Sequence, residues 1–152
     1  MCEITVTVFN LYRSKQLGVS TWYPHVIKAN YFNADRAANI AKTGLENADS
    51  AKLHIPYKNT EGKVVIGELQ YLEPKAWDNH TNDMYEKTIT FAEGEDFFYI
   101  GEFSENPVND SDYAQGTVSG FKDYMNRNYD HIYTIRSAGM YKLIPHFEIG
   151  GA

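Results

Sequence analysis

Glu3-Ile-Thr-Val-Thr-Val8 sets Ile4, Val6 and Val8 in strict alternation with Glu3, Thr5 and Thr7, the period-two pattern of a strand with one face on a core and one toward water. Outward from it, a polar turn at 14–20 with Gly18 leads into Trp22–Phe32, rich in β-branched and aromatic residues and interrupted by Pro24. Proline in a sheet belongs at an edge or a bulge, so a second strand, bent at Pro24, is expected. Further strands are expected at Lys52–Ile55, Val64–Leu72 after the turn signal Asn59–Gly62, Thr88–Phe91, and Phe97–Phe103 after the turn at 92–96. Two last strands, Ile132–Ser137 and Tyr141–Ile149, would be joined around Gly139.

Helical signals are fewer. Asn33 can cap a short helix over Asp35–Lys42, and Val118, Phe121 and Met125 fall at helical spacing within Val118–Asn126, with Thr117 available as a cap. The stretches Glu73–Asp83 and Asn106–Gly116 are polar and turn-rich and read as surface loops. The expected fold is therefore mainly β: a small barrel or sandwich of about eight short strands with one or two short helices, an α+β arrangement being the alternative. A chain of 152 residues is of single-domain size, so one domain over residues 1–152 is expected.

Composition supports sheet and narrows function. Aromatic residues make up 14%, with twelve Tyr and eight Phe, and such residues favour half-buried pleated surfaces. The formal charge is −6 and Lys and Arg are dispersed, whereas proteins that hold phosphates by charge carry a basic patch. Specific nucleic-acid binding is not expected. Cys2 is the single cysteine, which excludes an intramolecular disulfide and any cage of several thiolates. No stretch approaches the roughly 18 apolar residues of a membrane span, and the first residues lack the basic and apolar regions of a secretion signal. A protein made in the cytosol, with no membrane partner, is expected, and the sequons at Asn79 and Asn109 then carry no meaning.

Motifs for chemistry are absent. His25, His54, His80, His131 and His146 include no pair at the i, i+4 spacing of zinc proteases, and no glycine-rich loop matches a phosphate or dinucleotide site. Asp78, His80 and Asp83 could supply cation ligands, but their spacing fits no calcium loop and such residues also make turns. Cys2 stands beside the first methionine, a poor place for a rigid nucleophile. Glu93, Glu95 and Asp96 flank a turn, where carboxylates are ordinarily solvated. The aromatic groups Phe97-Phe98-Tyr99 and Tyr124, Tyr129 and Tyr133 stand among acidic rather than basic neighbours, which favours packing over base stacking. His146 reads as a packed or surface histidine. No catalytic residue, cofactor or metal site is expected, and the chain does not read as an enzyme.

Several segments form an ordered set: ITVTVFNLYRS at 4–14, TWYPHVIKANYF at 21–32, GLENADSAKLHIPY at 44–57, FAEGEDFFYIGEF at 91–103 and YDHIYTIRSAGMYKLIPHFEIGG at 129–151. The set resembles small proteins coded in the head-tail gene cluster of tailed bacteriophages and prophages of Gram-positive bacteria. It is carried by Asn10 and Tyr12, Gly44 and Leu45, Ala48 and Asp49, Ile55 and Pro56, and Pro145, His146 and Phe147. Glu95 separates Gly94 from Asp96, where the usual pattern has Gly-Asp. Those proteins are similar in size and gene position to head-completion, or stopper, proteins. The resemblance implies a structural role in the virion: a head-tail connector component forming a homo-oligomeric ring, with a portal adaptor and tail proteins as partners, present in the host cytoplasm and then in the particle. Loops on a rigid scaffold are the natural contact or lumen elements, and Trp77, Asp78, His80, Asp83, Asp110, Asp112 and Tyr113 are the candidates. The rival expectation is an independent binding module, for carbohydrate or as a phage-encoded inhibitor, using Trp22, Trp77 and tyrosines as exposed aromatics.

Overall fold

A computed structural model of the chain describes residues 3–14, 18–34, 51–79 and 84–152. The described strands are β1 (Ile4–Arg13), β2 (Ser20–Ala29), β3 (Tyr31–Ala34), β4 (Ala51–Pro56), β5 (Lys58–Thr60), β6 (Lys63–Ile66), β7 (Leu69–Tyr71), β8 (Thr88–Ile89), β9 (Phe97–Ile100), β10 (Val108–Asn109), β11 (Ile132–Tyr141) and β12 (His146–Gly151). Helix α1 spans Pro74–Asp78, a 3-10 turn Asp110–Tyr113, and helix α2 Phe121–Asn128. The fold is mainly β, as expected, in two sheets. The larger, antiparallel throughout, has the order β10-β2-β1-β9-β11-β12-β4-β3; the smaller is β5-β6-β7-β8, with β7 and β8 parallel.

The larger sheet is open, with β10 and β3 at its ends. The chain nevertheless passes from β2, near one end, to β3, at the other, across the single residue Asn30, whose N–H donates to the His54 carbonyl at 3.0 Å. The sheet is thus coiled until its ends approach, without closing into a barrel. A sandwich-like β fold describes it. Between the two sheets lie Val6, Val8, Ile27, Leu53, Ile55, Phe98, Phe147 and Ile149 from the larger and Ile66 and Ile89 from the smaller, with Phe91 just beyond β8. A second core, Phe9, Trp22 and Phe97 against Phe121 and Met125 of α2, covers the opposite face of β1, β2 and β9. Hence β1 is buried on both sides: Thr7, expected to face water, is fully buried, donating to the Gly101 carbonyl and accepting from the Phe103 N–H.

Several expectations need correction. The bend after β2 comes at Asn30; Pro24 lies inside β2, beyond the residues Thr21 and Trp22 that pair with β10, so its missing N–H falls where β2 has one neighbour. Asn33 belongs to β3, and the rest of the helix expected over Asp35–Lys42 lies outside the described residues. Strand β9 stops at Gly101, whose φ of +147° suits glycine and where a Cβ would stand 2.7 Å from the Tyr99 ring. No turn forms at Gly139: β11 continues to Tyr141, bulged between Ile135 and Ser137, and the reversal occurs at Lys142–Pro145, with Tyr141 opposite His146. The Glu73–Asp83 segment holds α1, started by Pro74 in the first turn, where proline is tolerated. Four additional short strands, β3, β5, β7 and β10, raise the count above eight, because pieces of two to four residues are too short to show a period.

Candidate functional site

Where α2 covers one half of the larger sheet, no helix among the described residues packs on the outer face of β3, β4, β12 and β11. Alternation decides which side chains stand there. In β4, Ala51, Leu53 and Ile55 turn inward and Lys52 and His54 outward; in β12, Phe147 and Ile149 turn inward and His146 and Glu148 outward. Antiparallel register sets Glu148 opposite His54, Tyr31 opposite His54 on the other side, and His146 opposite Tyr141. Two cross-strand rows, Tyr31–His54–Glu148 and His146–Tyr141, therefore meet on one surface.

Their geometry is convergent. His146 Nδ1–H donates to the Ile144 carbonyl at 2.6 Å, and Nε2 faces Glu148 Oε2 at 3.0 Å. His54 Nε2 stands 4.0 Å from the same oxygen. One ligand atom from each of His54, His146 and Glu148 lies within 4.8 Å of the others. Tyr141 stacks on the His146 ring (centroids 5.1 Å apart, planes 12° apart), and Tyr31 lies 4.6 Å from the His54 ring. Hydrogen bonds to the Glu148 carboxylate and then to the Ile144 carbonyl raise the His146 pKa above its ordinary value; the bond from His146 lowers that of Glu148. A cleft of about 320 Å³ opens beside the triad, lined by Lys52, His54, Glu93, Ser137, Tyr141 and Glu148. Beyond it the β11–β12 turn projects into solvent, with Leu143 98% and Ile144 74% exposed.

All 152 residues match one family model, described as a family of unknown function, DUF6751. The chain belongs to that family. No curated protein and no solved structure matches it.

In this member of the family, three of the seven loop residues expected to meet partners, Trp77, Asp110 and Tyr113, are engaged within the fold. Trp77 is buried in α1 against Tyr23 and Tyr85, and its Nε1 donates to the Thr88 carbonyl. Trp22 is buried as well, so of the aromatics named for a binding module neither tryptophan is exposed, while Tyr31 and Tyr141 are. The Asp110 carboxylate accepts from Trp22 Nε1 and from the Phe121 N–H, both at 2.9 Å. Tyr113 packs on Phe121 and Tyr124. Asp78 is half-buried and accepts from the Tyr85 hydroxyl through its carbonyl; Asp112 is exposed; His80 and Asp83 lie outside the described residues. The side chains of Trp77, Asp110 and Tyr113 thus serve the fold.

Asp96 also departs from its expected solvation. It is 1% exposed, and accepts from Asn10 Nδ2 (2.8 Å), the Leu11 N–H (3.0 Å) and the Ala92 N–H (3.0 Å). Burial raises its pKa to about 7 against these three donors, which favour the charged form. Asn10 is fully buried, donates also to the Thr90 carbonyl and accepts from the Thr90 N–H. The network thus ties β1 to the segments on either side of the 92–96 turn. His25, on the same inward face, donates from Nε2 to the Tyr85 carbonyl at 2.9 Å, and burial lowers its pKa to about 4.

Proposed function

We propose that the protein is a structural component of the head-tail connector of a tailed bacteriophage, acting by ring assembly and contact with neighbouring proteins rather than by catalysis. The ordered segments quoted above support the phage setting. The observation that carries an assembly role is the β11–β12 turn, where Leu143 and Ile144 stand largely exposed at the end of a paired hairpin. Removing apolar area of that size from water is favourable by about 25 cal/mol per Å², and a rigid hairpin loses little entropy on docking.

The occupant is an adjoining copy of the chain. A groove of about 600 Å³ runs between the two sheets, lined by Val26, Ile27, Tyr57, Val65, Ile66 and Leu69 together with the charged Glu3, Lys28, Lys58, Glu68 and Glu105. The turn of the same chain does not fill it, since Leu143 is almost wholly exposed. A projection on one copy entering a different surface of the next is a head-to-tail contact, which builds a ring when the rotation between copies closes. The test is to delete the gene from the phage and complement it with wild type or with L143D/I144D. Deletion is expected to give DNA-filled or leaking heads apart from free tails, and the double variant, folded by circular dichroism, is expected not to restore joined particles. Normal infectious particles from the deletion would overturn the connector role; full rescue by the variant would overturn the turn's part in it.

A further inference from the structure

We propose that His54, His146 and Glu148 form a binding site for a divalent transition-metal ion, zinc foremost, on the outward face of the larger sheet. The inference is independent of the connector reading. Two imidazole nitrogens and a carboxylate oxygen are a donor set suited to zinc and its neighbours, and poorly suited to calcium or magnesium, which take oxygen ligands. Ligands at zinc-like bond lengths of about 2.0–2.1 Å in a tetrahedron stand roughly 3.3–3.4 Å apart. The distances of 3.0 Å from Glu148 Oε2 to His146 Nε2 and 4.0 Å to His54 Nε2 bracket that value. The third pair, His54 to His146, lies within 4.8 Å, so closing the set asks the two histidine side chains to turn toward each other.

The supports around the triad are those that orient metal ligands. A ligating histidine ordinarily donates its other ring N–H to a carbonyl or carboxylate, which fixes ring and tautomer. His146 does so through Nδ1 to Ile144, which aims Nε2 at Glu148. The ion would take the place of the proton between His146 Nε2 and Glu148, and that proton would leave to solvent. Tyr141 and Tyr31 hold the two rings from outside the set. His54 and Glu148 face each other across paired strands, so the register that builds the core also fixes their separation. A fourth position faces the cleft lined by Ser137 and Lys52 and would be filled by water or by a donor from a docked protein.

The experiment uses the full chain, freed of metal with a chelator, and titrated with zinc chloride by calorimetry and with cobalt(II) chloride by visible absorption. One ion per chain is expected, with an intense cobalt d–d band of low coordination number and no heat from calcium or magnesium. H54A and H146A, both changes on an outward sheet face, are expected to keep the fold by circular dichroism and to weaken zinc binding more than tenfold, as is E148Q. Absence of stoichiometric zinc heat and of the cobalt band would overturn the proposal. So would binding unchanged in H54A and H146A, which would place the ion at other histidines.

Discussion

Asp96 and His25 carry opposite proton linkages, and together they conceal each other. The Asp96 pKa rises on folding from about 3.8 to about 7, so between those values the native state holds a proton that the unfolded chain has lost. Stability from this group is greatest below pH 4 and falls as pH rises toward 7. His25 shifts from 6.5 to about 4, so between those values the unfolded chain holds the extra proton and stability rises with pH. Each slope is about 1.4 kcal/mol per pH unit, and they cancel from about pH 4 to 6.5. Urea unfolding as a function of pH should be nearly flat there for the wild type. It should slope upward with pH in D96N and downward in H25L; parallel profiles in all three proteins would refute the assignment. Neither burial was legible beforehand, because the turn composition of 92–96 signals solvent and only the fold brings Asn10 and the Leu11 N–H to Asp96. The triad was hidden for a related reason. His146-x-Glu148 is a same-face pair on a strand, but its partner His54 is supplied by register across strands, which no spacing along the chain records.

At the scale of elements, the strands were legible where alternation ran for five residues or more, as in β1, β4 and β12. The additional strands β3, β5, β7 and β10, two to four residues long, were not, whereas the equally short β6, β8 and β9 lie within expected segments. Helix α2 was found two or three residues early, because its cap is not local. Gly120, at the N-cap, makes no side-chain bond; Asp110 reaches across from the 3-10 turn to take the Phe121 N–H and Trp22 Nε1 on one oxygen. A Cβ at Gly120 would stand 2.7 Å from that oxygen, so only glycine leaves the carboxylate its place. Thr117, the cap expected from sequence, is exposed and accepts from Arg127. D110A removes a cap and strands a buried indole N–H, and should cost about 2–4 kcal/mol. G120A should cost in the same direction by displacing Asp110, whereas T117A should cost less than about 0.5 kcal/mol. Chemical denaturation midpoints of the three variants check the order.

For the whole molecule, the net charge of −6 without a basic stripe is consistent with a chain past which DNA slides without sticking. Counterion release drives nonspecific binding and needs clustered cations. Gel shift or fluorescence anisotropy with duplex DNA at physiological salt should show no affinity; binding there, weakening steeply with added salt, would contradict this. The strand order has a consequence in time as well as in space. β1 and β2 form a local hairpin, and β3 and β4 lie close behind them, but between these pairs stand β9, β11 and β12 from the second half of the chain. A chain emerging from the ribosome can pair its opening strands early and can complete the run of paired strands from β1 to β4 only after residues 146–151 have appeared. Until then β1 and β4 each present an unpaired apolar edge, the kind of surface on which nascent chains aggregate. The last six-residue strand, which also brings His146 and Glu148 to the surface, is the keystone of the sheet: a truncation that removes it leaves β11 and β4 without the strand that pairs with both, the two parts of the sheet then meeting where β2 runs into β3 across Asn30.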